Sequence, residues 1–153
     1  MLHKLISLIK YYTRSKTIFN VHSPYLYQVL RFSDDRKRYY YDFERIEKIR
    51  DELLNSDTEI LRKDYGAGSK TLDIHTTIAK IASTSLSSYN QLAFLYRLCL
   101  LLQPGRILEL GTSLGLSASY LASHNSDCVV TTVEADSEIY NIALNTFSKL
   151  KLD

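Results

Sequence analysis

The chain has 153 residues, enough for one domain with a real core, and its 45% hydrophobic and 24% charged content is that of an ordinary globular protein. The net charge is only +2, with 12 Tyr and no Trp. That composition excludes a disordered, collagen-like or disulfide-stapled chain.

Charge is unevenly spread. Residues 1–50 hold 11 Lys+Arg against 5 Asp+Glu, a net +6, whereas residues 106–153 hold 3 against 6, a net −3. A basic head can contact nucleic acid or a membrane surface. The charges are scattered rather than striped, so a solvated helical surface is the preferred reading, with no nucleic acid and no membrane expected as partners. Cys99 and Cys128 sit in apolar runs and are expected to be small buried hydrophobes rather than a metal pair or a disulfide. The N-terminus lacks the pattern of a signal peptide, and no apolar run reaches spanning length. A reducing, cytoplasmic setting is the default expectation.

In chain order, Leu2, Leu5, Ile6, Ile9 and Tyr12 fall at helical spacing. Val21-His22-Ser23-Pro24 starts a second helix, with Ser23 as cap and Pro24 in the first turn. A third is predicted over 41–55, with Phe43, Ile46, Ile49 and Leu53 on one face. The stretch Asp64-Tyr65-Gly66-Ala67-Gly68-Ser69 is predicted as a loop, followed by helix over 72–81 and again over 91–102. After Pro104-Gly105 the pattern changes. Residues 106–110 form a short apolar strand, 111–115 a tight loop and 116–123 a helix. Residues 128–133 form a second strand and 139–150 a helix with Ile142, Ala143 and Phe147 inward. Strand, helix, strand, helix at this spacing predicts a parallel β-α-β unit.

The strongest signal is Glu109-Leu110-Gly111-Thr112-Ser113-Leu114-Gly115 together with Glu134, which follows Gly111 by 23 positions. A strand that ends in a glycine loop and feeds a helix presents backbone N–H groups to a ligand. Gly111 allows a sharp turn and close approach. An acid at the end of the next strand can accept hydrogen bonds from ribose hydroxyls. The dinucleotide fingerprint G-x-G-x-x-G is absent, because Ser113 stands at the second glycine. That argues against NAD or FAD. S-adenosylmethionine carries no phosphate, so it needs the turn and the ribose acid but no pyrophosphate cradle. Glu109 could face its ammonium group, and the helix N-terminus its carboxylate.

The run ILELGTSLGLSASYLA followed by VVTTVEAD resembles motifs I and II of class I S-adenosylmethionine-dependent methyltransferases. Within that class it is similar to the catechol-O-methyltransferase-like branch, with its E-x-G-T-x-x-G-x-S pattern. Tyr89-Asn90-Gln91 resembles the branch's Gly-Gln helix start, with Asn90 in place of Gly. VHSP and DYGAGSK resemble marks of a bacterial subfamily of methyltransferases.

The resemblance implies S-adenosyl-L-methionine as cofactor, with Glu109, Gly111, Thr112, Gly115, Ser117, Glu134, Ala135 and Gln91 on the cofactor side. It implies methyl transfer to a small-molecule acceptor, at an oxygen. A divalent metal often orients the acceptor in that branch, but its usual ligands follow the fourth strand and are not expected within these residues. The expected fold is α/β. A helical extension over 1–103 precedes the first β-α-β-α unit of a Rossmann-like domain over 104–153, which is incomplete, with helices covering both sheet faces. Exposed sheet edges then favour a homo-oligomer. Two alternatives stay open: a truncated, non-catalytic binding or assembly module, and another nucleotide-binding α/β protein. His22 could serve as a base, though packing beside Pro24 accounts for it. Tyr39-Tyr40-Tyr41 is expected as core and helix surface rather than an aromatic cage.

Overall fold

The computed structural model describes residues 2–15, 17–62 and 75–152, with the side chains of residues 2–4 outside that description. The fold is mixed α/β and mostly helical. Helices α1 (Leu2–Arg14), α2 (Pro24–Ser33) and α3 (Tyr41–Leu54) come first, with a short 3-10 turn at Ile18–Asn20 between the first two. Strands β1 (Glu59–Leu61) and β2 (His75–Thr77) follow, then α4 (Ile78–Ser85) and α5 (Tyr89–Leu102). The C-terminal part is β3 (Arg106–Leu110), α6 (Leu116–Ser123), β4 (Val129–Val133) and α7 (Ser137–Leu150).

Local chemistry explains most boundaries. Ser23 accepts the Leu26 N–H at 3.3 Å, and Pro24 opens α2, as the VHSP run implies. α5 ends at Gln103 in the left-handed conformation (φ 47°), directly before Pro104. Asp136 caps α7, its carboxylate accepting the Glu138 and Ile139 N–H groups at 2.9 and 3.3 Å. One element differs from the sequence expectation. The helix predicted from residue 72 begins only at Ile78, because His75–Thr77 pairs antiparallel with Glu59–Leu61. The loop predicted at 64–69 lies outside the described residues.

β3 and β4 pair in parallel, with Arg106 opposite Val129 and Leu110 opposite Val133. Among the described residues neither has another strand beside it. Side chains alternate across a strand. Ile107, Glu109, Val130 and Thr132 turn inward, while Leu108 and Leu110 are 67% and 79% exposed and Val129 and Val133 are exposed beside them. Among the described residues the helices therefore cover one face of this sheet, not both. The expectation of two covered faces is corrected. α6 and α7 follow β3 and β4 and pack against each other, and α3 and α5 pack on α6, so the helical mass lies on one side.

The core centres on Phe43, which is fully buried. Its ring lies within 6.0 Å, centroid to centroid, of Tyr39, Tyr40, Tyr89, Tyr96 and Tyr120. These rings come from α3, its leading turn, α5 and α6. Leu114, Leu116 and Ile139 join the same cluster, so residues before and after 104 share one core. Polar ties reinforce it. The Tyr120 hydroxyl donates to Glu47 at 2.8 Å, and Arg50 donates to the other Glu47 oxygen at 2.8 Å. Arg45 donates to the Leu150 carbonyl at the end of α7 at 2.8 Å, where a cation suits the helix dipole. The Tyr39-Tyr40-Tyr41 run divides: Tyr40 packs on Phe43 and Tyr96, and Tyr41 is exposed. Cys99 and Cys128 are buried free thiols.

Burial holds the Tyr96 phenol above its ordinary value of 10.0, up to about 12, with Asp42 adding to the rise. Burial, followed by the hydrogen bond to Glu47, raises Tyr120 further still. The sign follows from proton linkage. Between the unfolded pKa and the raised native pKa, the native state binds more protons, so stability falls as pH rises. The unfolding midpoint in urea should hold steady below pH 10 and drop from pH 10 toward 12. Tyr96→Phe should flatten that drop. A midpoint as steep in Tyr96→Phe and Tyr120→Phe as in the parent chain would remove these two phenols as the cause.

Candidate functional site

The site forms where β3 and β4 end side by side. Gly111 (φ 93°), Ser113 (φ 49°) and Gly115 (φ 87°) are all left-handed, which turns the chain from strand into helix within five residues. Each of the two glycines has its own reason. A Cβ on Gly115 would sit 3.0 Å from the Phe147 ring and 3.3 Å from the Ala143 backbone, so α7 packs directly against this turn. A Cβ on Gly111 would meet no protein atom within 4 Å. The surface over Gly111 is open, and only its backbone conformation demands glycine there.

Two networks fix the loop. In the first, the Gly111 and Thr112 N–H groups donate to the Val133 carbonyl at 2.9 and 3.1 Å, continuing the β3–β4 pairing past the last strand residue. In the second, the Glu134 carboxylate gathers backbone amides. One oxygen accepts the Ser113 N–H at 2.8 Å; the other accepts the N–H groups of Ala135 at 2.9 Å and Asp136 at 3.1 Å. This bond to Ser113 holds a non-glycine residue in a sparsely populated conformation.

A chain of hydroxyls crosses between the strands just below. Thr132 donates to Glu109 at 2.6 Å, and Thr112 lies 2.6 Å from Thr132. An ionised carboxylate only accepts, and a hydroxyl has one proton. The direction is therefore Thr112 to Thr132 to Glu109. Thr112 is buried.

The residues expected from sequence fall into three groups. Glu109, Gly111, Gly115, Glu134 and the N-terminal turn of α6 with Ser117 converge on one end of the sheet. Helix geometry leaves the first amides of α6 without intrahelical acceptors. Thr112 and Ala135 stand there too, but the Thr112 hydroxyl is directed into the sheet and the Ala135 N–H onto Glu134. Gln91 belongs to another neighbourhood. Its side-chain oxygen accepts from the Ser88 N–H at 2.8 Å and the Ser88 hydroxyl at 2.9 Å, capping α5. It lines a groove of about 480 Å³ with Asp34, Arg36, Ser87, Asn90, Phe94 and Leu95, none of them from the glycine loop. Sequence reasoning missed Thr132 and the amide of Ser113. Parallel register sets Glu109 opposite Thr132, so a threonine within an apolar strand was the available signal.

Among the described residues, no group of three or more His, Cys, Asp or Glu could hold a metal ion. No helix among them is long and apolar enough to cross a membrane. No family model matches the chain, and no curated protein matches it.

The hydroxyl chain gives a direct test. Thr132→Val should strand the buried Thr112 hydroxyl and leave Glu109 without its donor, lowering stability by about 1–3 kcal/mol in urea unfolding. Thr132→Ser should restore most of that. A valine variant as stable as the parent would show that the chain of hydroxyls contributes nothing to holding the loop.

Proposed function

We propose that the end of the β3–β4 sheet is the cofactor side of an S-adenosylmethionine-dependent methyltransferase, and that β3-α6-β4-α7 is the first unit of a Rossmann-like fold. The observation that carries this is the open space where a Gly111 Cβ would stand, in a loop that Glu134 holds at Ser113 and that leads into the first turn of α6. Glu134 has acceptor capacity for about four hydrogen bonds as a carboxylate, of which three are in use. One further hydroxyl can be accepted without rearrangement; holding both ribose hydroxyls requires one amide to give way. Glu109 is suited to a cationic amino group and the α6 amides to a carboxylate.

The bound cofactor would supply an activated methyl group for a small-molecule acceptor, and an oxygen nucleophile is the proposed recipient. The chain's own part is to position the donor. Gly111, Gly115, Ser117 and Glu134 would hold it, with Thr112 and Glu109 fixing the loop and Ala135 flanking the adenosine end. The open edges of β3 and β4 would pair with a second copy. A reducing, cytoplasmic compartment suits the buried thiols Cys99 and Cys128.

A second reading has one specific observation in its favour. Because Glu134 already accepts three protein amides, its role is fully accounted for by loop anchoring. In that case the unit is a binding or assembly module without a cofactor.

Calorimetric titration with S-adenosylhomocysteine separates the two. The parent chain should bind, and Gly111→Val should bind about 10–100-fold more weakly, the loss expected when a ligand contact worth 1.5–3 kcal/mol is denied. Valine at φ 93° also strains the backbone, so the loss is read as a ligand contact only where the variant keeps the parent's urea midpoint. Equal affinity in both proteins, or no heat in either, would leave the loop as a connector.

A further inference from the structure

α1 is an amphipathic helix against which no other described element packs closely. Every described residue from Leu5 to Ser15 is exposed. At about 100° per residue, Leu5, Ile6, Leu8, Ile9 and Tyr12 share one side, and Ser7, Lys10 and Arg14 the other. Exposed apolar residues recur in the segment that follows: Phe19 is 81% exposed, and Tyr25 and Leu26 at the start of α2 are exposed too.

The charge around this surface has one sign. The first 33 residues contain five Lys or Arg and no Asp or Glu; the first acid is Asp34. α3, which packs on protein, behaves differently. Its water-facing side pairs Arg45 with Asp42 and Lys48 with Glu44. Mixed charges at such spacings stabilise a helix in water, so a helix that only rests on protein gains nothing from being purely cationic. A helix lying on an anionic surface does. A cationic polar face opposite a broad apolar face, with aromatic residues at its end, is what the boundary of a lipid bilayer selects.

We propose that α1, with the exposed Phe19, Tyr25 and Leu26 that follow it, docks on an anionic lipid surface. α1 lies in the plane of the headgroups, its Leu and Ile side chains inserted and Lys10 and Arg14 among the phosphates. The competing occupant is a second copy of the chain, whose exposed sheet face at Leu108, Leu110, Val129 and Val133 also lacks a cover. Charge disfavours it. Arg106 lies exposed on that same face, so the cationic helix would meet a cation. The uneven charge alone reads as a solvated surface; the uncovered apolar side of α1 is what changes the assignment. The proposal is independent of methyl transfer.

Co-sedimentation with vesicles tests it on the full chain. Binding should occur to phosphatidylcholine vesicles containing phosphatidylglycerol, weaken as salt rises, and be lost on phosphatidylcholine alone. Combining Lys10→Gln with Arg14→Gln should weaken binding roughly 30-fold, at about one decade or less per charge. Combining Ile6→Glu with Ile9→Glu should abolish it. Both double variants should keep the parent's urea midpoint, because every described side chain of α1 is exposed. Equal partition to neutral and anionic vesicles, or no partition to either, overturns the proposal. So does self-association in light scattering that the Ile6→Glu, Ile9→Glu variant abolishes, which would assign the helix to a second copy.

Discussion

Burial of the Phe43 ring is the interaction on which the rest of the structure depends. Five tyrosines from the neighbouring segments surround it, and each adds edge or tilted contacts of the kind worth roughly 0.5–1.5 kcal/mol beyond area alone. The consequence is positional. Tyr120 belongs to α6, the helix whose first turn borders the glycine loop, and Glu47 of α3 holds its hydroxyl. α3 also reaches the end of α7 through Arg45. The loop is thus set by a core built largely from residues well ahead of it in the chain. The helical N-terminal region is structural support for the strand ends, not an appendage beside them.

The strand ends carry a conflict between anchoring and binding. Glu134 holds Ser113 in a left-handed conformation and closes the turn into α7 through Ala135 and Asp136. The same carboxylate is the proposed ribose acceptor. A site built this way is pre-ordered before a ligand arrives, which lowers the entropy cost of binding. It also means that loop stability and affinity are coupled at this residue; at Gly111 no protein atom stands where a side chain would, but the φ of 93° ties any substitution to backbone strain as well.

Much of this was legible in the sequence, and the reasons are specific. Phe43, Ile46, Ile49 and Leu53 recur at helical spacing, and all four are buried. The β3-α6-β4-α7 succession was readable because two short apolar runs, at 106–110 and 128–133, are each followed by a turn and a helical pattern, with Pro104-Gly105 before the first. The β1–β2 pair was not. Each strand has three residues, and His75-Thr76-Thr77 leads straight into Ile78, so its pattern merges with that of the helix. The open sheet face was hidden for a different reason. Leu108, Leu110, Val129 and Val133 have the composition of a strand buried on both sides, and nothing in a local pattern tells which face a helix will cover. Networks such as Thr112–Thr132–Glu109 depend on register, which pairing of the two strands alone supplies.

The most direct measurement of the central claim is the amide NMR spectrum of the labelled chain during titration with S-adenosylhomocysteine, with NAD added to a parallel sample. A cofactor held at the strand ends should shift the amides of Gly111, Ser113, Ser117 and Ala135 while leaving those of α2 and α4 in place. NAD should shift them far less, since the loop lacks the second glycine of a pyrophosphate cradle. Shifts scattered over the surface, absent from this loop, or as large with NAD as with S-adenosylhomocysteine would contradict the account.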